Sequence, residues 1–168
     1  NLASDPKHRK TLIEMREALY AHMKATHDVA LLPEGMFHDL ARKHGITPGD
    51  LARKQEAYPL ADIRKAADLL LQSDPQSDQI ERMLKAELPA QRYWATLACL
   101  YLGEHMSKTL SKELTALLKD PSPSVQIAAA ETLATYPASE KQRKTALEVL
   151  LSNSDPTSSS AFHAVAAL

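Results

Sequence analysis

Glycine is scarce in this chain, at 4 of 168 residues, and Phe, Trp and Tyr together make up only 5%. With few β-branched runs and many Ala and Leu, that scarcity argues against a sheet and for helices. A single cysteine, Cys99, excludes an intrachain disulfide. Its place inside an apolar helical pattern makes it a small buried hydrophobe. No run of about 18 apolar residues occurs, so no helical membrane span is expected. An excess of charge of one sign is missing too. The net charge is −1 with His neutral, and the pI of about 6.7 lies far below that of a typical duplex-binding protein. No nucleic-acid partner is expected, and the local basic strip Lys141, Arg143 and Lys144 reads as an exposed helix face. A signal peptide is not visible. The chain begins at Asn1 and stops at Leu168 inside a helical pattern, so it is expected to be a piece of a longer protein.

What is present is enough to fold. Hydrophobic residues make up 44% and charged residues 24%, ordinary values for a chain with a buried core. One unit is written more than once. Leu88-Pro89-Ala90-Gln91-Arg92-Tyr93-Trp94-Ala95-Thr96-Leu97-Ala98-Cys99-Leu100 is followed about 34 residues later by Ser122-Pro123-Ser124-Val125-Gln126-Ile127-Ala128-Ala129-Ala130-Glu131-Thr132-Leu133-Ala134. A degenerate third copy runs from Asp155-Pro156 through Ser160 to Leu168. A helical pattern recurring with that period predicts a solenoid of helix pairs, an architecture for stacking and binding. In each pair the second helix is richer in Ala and apolar on more of its surface, so it should be the more buried. Trp94 is expected in the core.

Read in order, Asp5-Pro6 starts a helix of about 18 residues. Its apolar stripe is Leu12, Met15, Leu19 and Met23, and Thr26-His27-Asp28 ends it. A helix from Pro33 or Glu34 to His44 follows, stopped by Gly45. Thr47 caps a short helix reaching about Ala57, and Tyr58-Pro59 breaks the pattern. From Leu60 the helices pair. Ile63, Ala66, Ala67, Leu70 and Leu71 form one stripe, closed by Ser73-Asp74-Pro75. Ile80, Met83, Leu84 and Leu88 form the next. Leu110, Leu114, Leu117 and Leu118 precede the helix capped by Ser122, and Ser139 with Gln142 reads as a capping box for the helix of Ala146, Leu147, Leu150 and Leu151. This gives an all-α chain in two parts: a helical lead-in over residues 1–59 and about three helix pairs over residues 60–168, the last one truncated.

The pattern holds little chemistry. The seven histidines are scattered, whereas a zinc site needs ligands a few positions apart on matched segments. Glu34, His38 and Arg42 share a helix face, which reads as ordinary i,i+4 pairing. No phosphate loop, nucleophile elbow or dinucleotide fingerprint occurs. Ser158-Ser159-Ser160 reads as a polar loop. No catalytic residue, metal ligand or cofactor site is expected within the chain. Arg92 and Gln126 stand out because they are polar, fall at equivalent repeat positions, and sit in apolar surroundings. They point either to the inner binding face or to inter-repeat hydrogen bonds.

The second helices resemble HEAT-type repeats, including the phycobiliprotein-lyase variety, over about Leu60 to Leu168. The first part adds Asn1-Leu2-Ala3-Ser4-Asp5-Pro6, then Leu12, Met15-Arg16, Ala18-Leu19, Met23, Thr26, Asp28 and Leu32-Pro33-Glu34. This order resembles the end of a bacterial sulfatase, in which a phrase close to Asn-Leu-Ala-x-Asp-Pro closes the catalytic domain. The resemblance implies a non-catalytic tail of a sulfuric ester hydrolase. The parent's formylglycine, made from a Cys/Ser-x-Pro-x-Arg phrase, and its divalent metal, such as calcium, would lie before Asn1. Cys99, followed by Leu100 and Tyr101, does not match that phrase. The partner implied is another protein or the parent's own catalytic domain, and the parent's compartment would be extracytoplasmic. The reading that stands without the resemblance is a free-standing repeat scaffold that binds a protein partner.

Overall fold

The computed structural model describes residues 2–72, 74–158 and 160–168 and is all-α, with no strand among them. Asn1, the Ser73 of the expected Ser73-Asp74-Pro75 stop, and the middle serine of the 158–160 run lie outside the described residues. The helices are α1 (Arg9–Thr26), α2 (Glu34–His44), α3 (Leu60–Ala67), α4 (Ser77–Leu84), α5 (Pro89–Leu102), α6 (Glu104–Thr109), α7 (Ser111–Leu117), α8 (Pro123–Thr135), α9 (Glu140–Asn153) and α10 (Ala161–Ala166). Short 3-10 turns occupy Pro6–His8, Pro48–Arg53 and Asp68–Leu71.

The local signals act as their chemistry requires. The Asp5 carboxylate accepts from the Lys7 N–H at 2.9 Å, and Pro6 opens the turn that feeds α1. Proline stands at the first position of α5 and α8, where its missing N–H costs nothing. Gly45 (φ 63) stops α2 and Gly103 (φ 85) stops α5, both in the left-handed region that glycine enters without penalty. His27 stops α1 at φ 55 without that freedom.

Several expectations change on contact with the tertiary structure. Thr47 holds the N-cap position of a 3-10 turn but makes no side-chain cap bond. Its hydroxyl donates to the Asp50 carboxylate at 2.6 Å, and the segment forms the 3-10 turn Pro48–Arg53. Ser122 is not a side-chain cap either; its own N–H donates to Asp120 Oδ1 at 2.8 Å. The capping box at α9 is displaced by one residue. Ser139 Oγ accepts from the Gln142 N–H at 3.2 Å, but the Gln142 side chain accepts from the Ala138 N–H at 2.6 Å. After Ala67 the chain tightens into the turn Asp68–Leu71, which changes the angular step per residue. Leu69 is therefore buried, while Leu71 of the expected stripe is exposed.

The second helices build the core. α5 packs on α8, with α4 and α7 beside them and α9 against α8. On α8, Val125, Ile127, Ala128, Ala129, Ala130 and Leu133 are all buried, so small side chains let neighbours approach from several sides. Cys99 and Leu133, equivalent in the repeat, are both fully buried. Trp94 is only partly buried. It packs at the edge of the core, and its indole N–H donates to the Leu31 carbonyl at 2.8 Å. The lead-in thus reaches the repeats: α2 packs against α8, and Met36, Leu40, Leu51 and Tyr58 belong to the same buried cluster as Ile63, Ile80 and Leu114.

α1 stands apart from that core. Of its stripe only Met23 is buried, at 5%, whereas Met15 is 67% and Leu19 55% exposed. Its attachment is largely polar. Tyr20 donates to Asp68, Arg64 pairs with Glu17 and Asp68, and the Arg64 guanidinium lies 3.5 Å from the Tyr20 ring centroid.

Candidate functional site

Arg92 and Gln126 meet at one loop. Arg92 Nε donates to Asp120 Oδ2 at 2.6 Å and Nη2 to Oδ1 at 2.9 Å, the planar two-pronged match of guanidinium and carboxylate. Arg92 Nη1 also donates to the Ala86 and Glu87 carbonyls, each at 2.8 Å. One side chain therefore closes the turn ahead of α5 and grips the loop ahead of α8. The pair is nearly dry, with the side chains 13% and 3% exposed. Gln126 Nε2 donates to the Asp120 carbonyl at 2.6 Å. Its Oε1 accepts from Asn153 Nδ2 at 3.2 Å. Asn153 ends α9, one repeat beyond Asp120. Each residue thus reaches forward to the loop of the next unit, and the ladder ties three successive units together. Both side chains are occupied by these bonds. A second tie runs along the first helices, where Gln142 Nε2 donates to Ser111 Oγ at 2.7 Å and Thr115 Oγ1 at 2.8 Å.

The remaining sequence candidates do not assemble into a reaction centre. His38 stands 3.8 Å from Glu34, but both are well exposed, and Arg42 turns to Asp39 at 3.2 Å. No group of three His, Cys, Asp or Glu side chains arranged to hold a metal is found among the described residues. Burial pushes the Cys99 thiol up to about 12, so it stays protonated and unreactive at neutral pH. A cleft of about 420 Å³ opens between the end of α1, the 52–62 segment and α3, with Lys24, His27, Arg53 and Tyr58 among its walls. Arg53 is already paired with Asp50 at 3.0 Å. Among the described residues no helix is long and apolar enough to cross a membrane.

The periodicity did not single out a third group. Tyr93 on α5 lies beside His163 on α10, and the Glu131 charge on α8 acts on the Tyr93 hydroxyl. The Tyr93 ring meets His163 edge-on at 6.1 Å and Trp94 edge-on at 5.8 Å. Burial, with the Glu131 charge adding to it, pushes the Tyr93 hydroxyl up to about 12. Burial also raises the Glu131 carboxyl and lowers the His163 imidazole. A signal was present: Glu131 is the repeat equivalent of Leu97, one helical turn after Tyr93.

Comparison with family models, with curated proteins and with solved structures finds no match to this chain.

Proposed function

We propose that this chain is a non-catalytic helical-repeat module of the HEAT type that works beside a bacterial sulfatase catalytic domain, with α1 as its docking element. The observation that carries the reading is the bare apolar side of α1. An 18-residue helix whose Met15 and Leu19 lie open to water is marginal alone, and its pattern calls for a second surface to bury it. This helix is also the stretch whose phrase resembles the close of a sulfatase. On this reading the catalytic domain covers Met15 and Leu19, and sulfate-ester hydrolysis, with its formylglycine and metal, belongs entirely to that domain. The residues encoded ahead of Asn1 test the proposal. A Cys/Ser-x-Pro-x-Arg phrase a few hundred residues upstream supports it, and an unrelated domain or a start codon overturns it. The purified 168-residue chain should leave an aryl sulfate untouched, and turnover would contradict the non-catalytic assignment.

A scaffold reading without sulfate is favoured by a different observation. The Arg92–Asp120 and Gln126–Asn153 ties stiffen the stack without contributing to any reaction, as expected of a binding platform. Under this reading α1 covers an unrelated partner, and the same upstream sequence decides between the two.

A further inference from the structure

α10 is held to the stack by little. It packs on α9 and α8, but Ala164 is its one buried residue, while Phe162 and Val165 are 87% and 57% exposed. A six-residue helix has no stability of its own in water, so α10 is a helix only while it is docked. His163 ties it to α5, its ring meeting the Tyr93 ring edge-on at 6.1 Å. The His163 Nδ1 is buried with no hydrogen-bond partner among the described residues. A neutral imidazole tolerates this, because its proton can sit on Nε2 and leave Nδ1 a bare lone pair. An imidazolium carries a proton on both nitrogens. Its Nδ1–H would then be a charged donor, out of water and without an acceptor.

The neighbouring elements bring no charge that offsets this. α5 brings Tyr93, neutral in this range because its hydroxyl is pushed up to about 12, and its Arg92 is taken by Asp120. α8 carries one charged residue, Glu131, and α9 carries Glu140, Lys141, Arg143, Lys144 and Glu148, all of them exposed. In the loop ahead of α10, Asp155 is held by Thr157. None of these charges acts on His163, whose imidazole is lowered by burial alone. We propose that His163 is an acid-operated latch: protonation of its imidazole undocks α10 and uncovers the surface around Tyr93 that the helix covers. The rest of the stack stays folded, because α5 and α8 are joined through the Arg92–Asp120 pair and bury side chains of their own. The latch does not rest on the sulfatase reading and is tested apart from it.

Hydrogen exchange of the full chain, read by mass spectrometry at pH 7.5 and pH 5.5 and corrected for the intrinsic pH dependence of amide exchange, tests the latch. On release His163 returns to its ordinary 6.5, so over this range the opening constant of α10 can rise by at most about tenfold. A loss of α10 protection of about threefold to tenfold is expected, with the amides of α5 and α8 unchanged within about 1.5-fold. His163→Phe keeps an aromatic edge for Tyr93 and takes up no proton, so its α10 should hold its protection within about 1.5-fold over the same range. His163→Gln serves as a second variant that does not titrate if Phe disturbs the packing. The proposal is overturned if the loss in the parent chain falls short of threefold, or if α10 is already unprotected at pH 7.5, since no docked state would then exist to release. It is also overturned if both variants lose protection as the parent chain does, or if α5 and α8 open in step with α10, which would be general acid unfolding.

Discussion

Asp120 is only 6% exposed, and its carboxylate is held by the Arg92 fork and the Ser122 N–H. Removing the guanidinium strands a buried charge that one N–H cannot satisfy. Arg92→Leu is expected to lower stability by about 3–5 kcal/mol, because the loss is dominated by the charge left behind. Combining it with Asp120→Leu should cost less than the two single changes added together. Urea unfolding of the four proteins in the cycle measures this, and additivity within about 0.5 kcal/mol would show that the two ends act independently. The cluster at Tyr93 makes a second residue-scale prediction. Burial raises the Glu131 carboxyl above its ordinary 4.5, so the folded state holds that proton better than the unfolded chain. That contribution is complete below the ordinary glutamate value and is lost as pH rises from there through the raised one. Burial lowers the His163 imidazole below its ordinary 6.5. That contribution is complete above the ordinary value and is lost as pH falls from there through the lowered one. Glu131→Gln should therefore melt higher than the parent chain at pH 7, and the gap should close toward pH 4. His163→Gln should gain on the parent chain between pH 7 and pH 5. Melting curves across that range check both signs.

At the scale of elements, α1 separates what a pattern shows from what a fold does with it. The spacing of Leu12, Met15, Leu19 and Met23 defines an amphipathic helix correctly, yet in this chain only Met23 finds a core. Leu19→Gln is therefore expected to shift stability by no more than about 0.5 kcal/mol, as for other exposed positions. Met23→Ala should cost about 2–5 kcal/mol. Thermal or urea unfolding of the two variants compares them. Equal losses would mean that the stripe is covered in solution. A repeat of the Leu19→Gln measurement with the catalytic domain attached should then show a clear loss if that domain is the cover. The elements also show where sequence reasoning reached its limit. Helices α1, α2, α5, α8 and α9 were legible because caps, prolines, glycines and the 3.6-residue period act locally. Arg92 and Gln126 were legible because polar residues at equivalent positions of an apolar repeat must satisfy their donors within the stack. Asp120, their common partner, read only as a helix stop, since Asp-Pro marks a turn whatever else the carboxylate does. The Tyr93–His163 pair was not singled out because it depends on how α10 packs back on the stack. That is a matter of packing angle, which one-dimensional spacing does not encode.

Across the whole molecule, one buried cluster runs from Leu32 to Ala164, but the helices share in it unequally. α8 is surrounded by α2, α5, α7 and α9, while α1 and α10 each bury one residue, Met23 and Ala164. In a stacked array each unit draws stability from its neighbours, so units open from the ends inward. α5 and α8, cross-linked by the Arg92–Asp120 pair between their loops, should open only with global unfolding. α1 is held by the burial of Met23 and by polar contacts at Tyr20 and Glu17, and α10 is six residues long. Native-state hydrogen exchange read by mass spectrometry should find amides of α5 and α8 exchanging last, those of α9 and α2 between, and those of α1 and α10 first. Arg92→Leu should narrow the gap between α8 and α9, because it loosens the centre of the stack and leaves the ends as they are. If α1 instead exchanged as slowly as α8 in the isolated chain, its apolar side would have to be buried in solution, and the docking role given to Met15 and Leu19 would be lost.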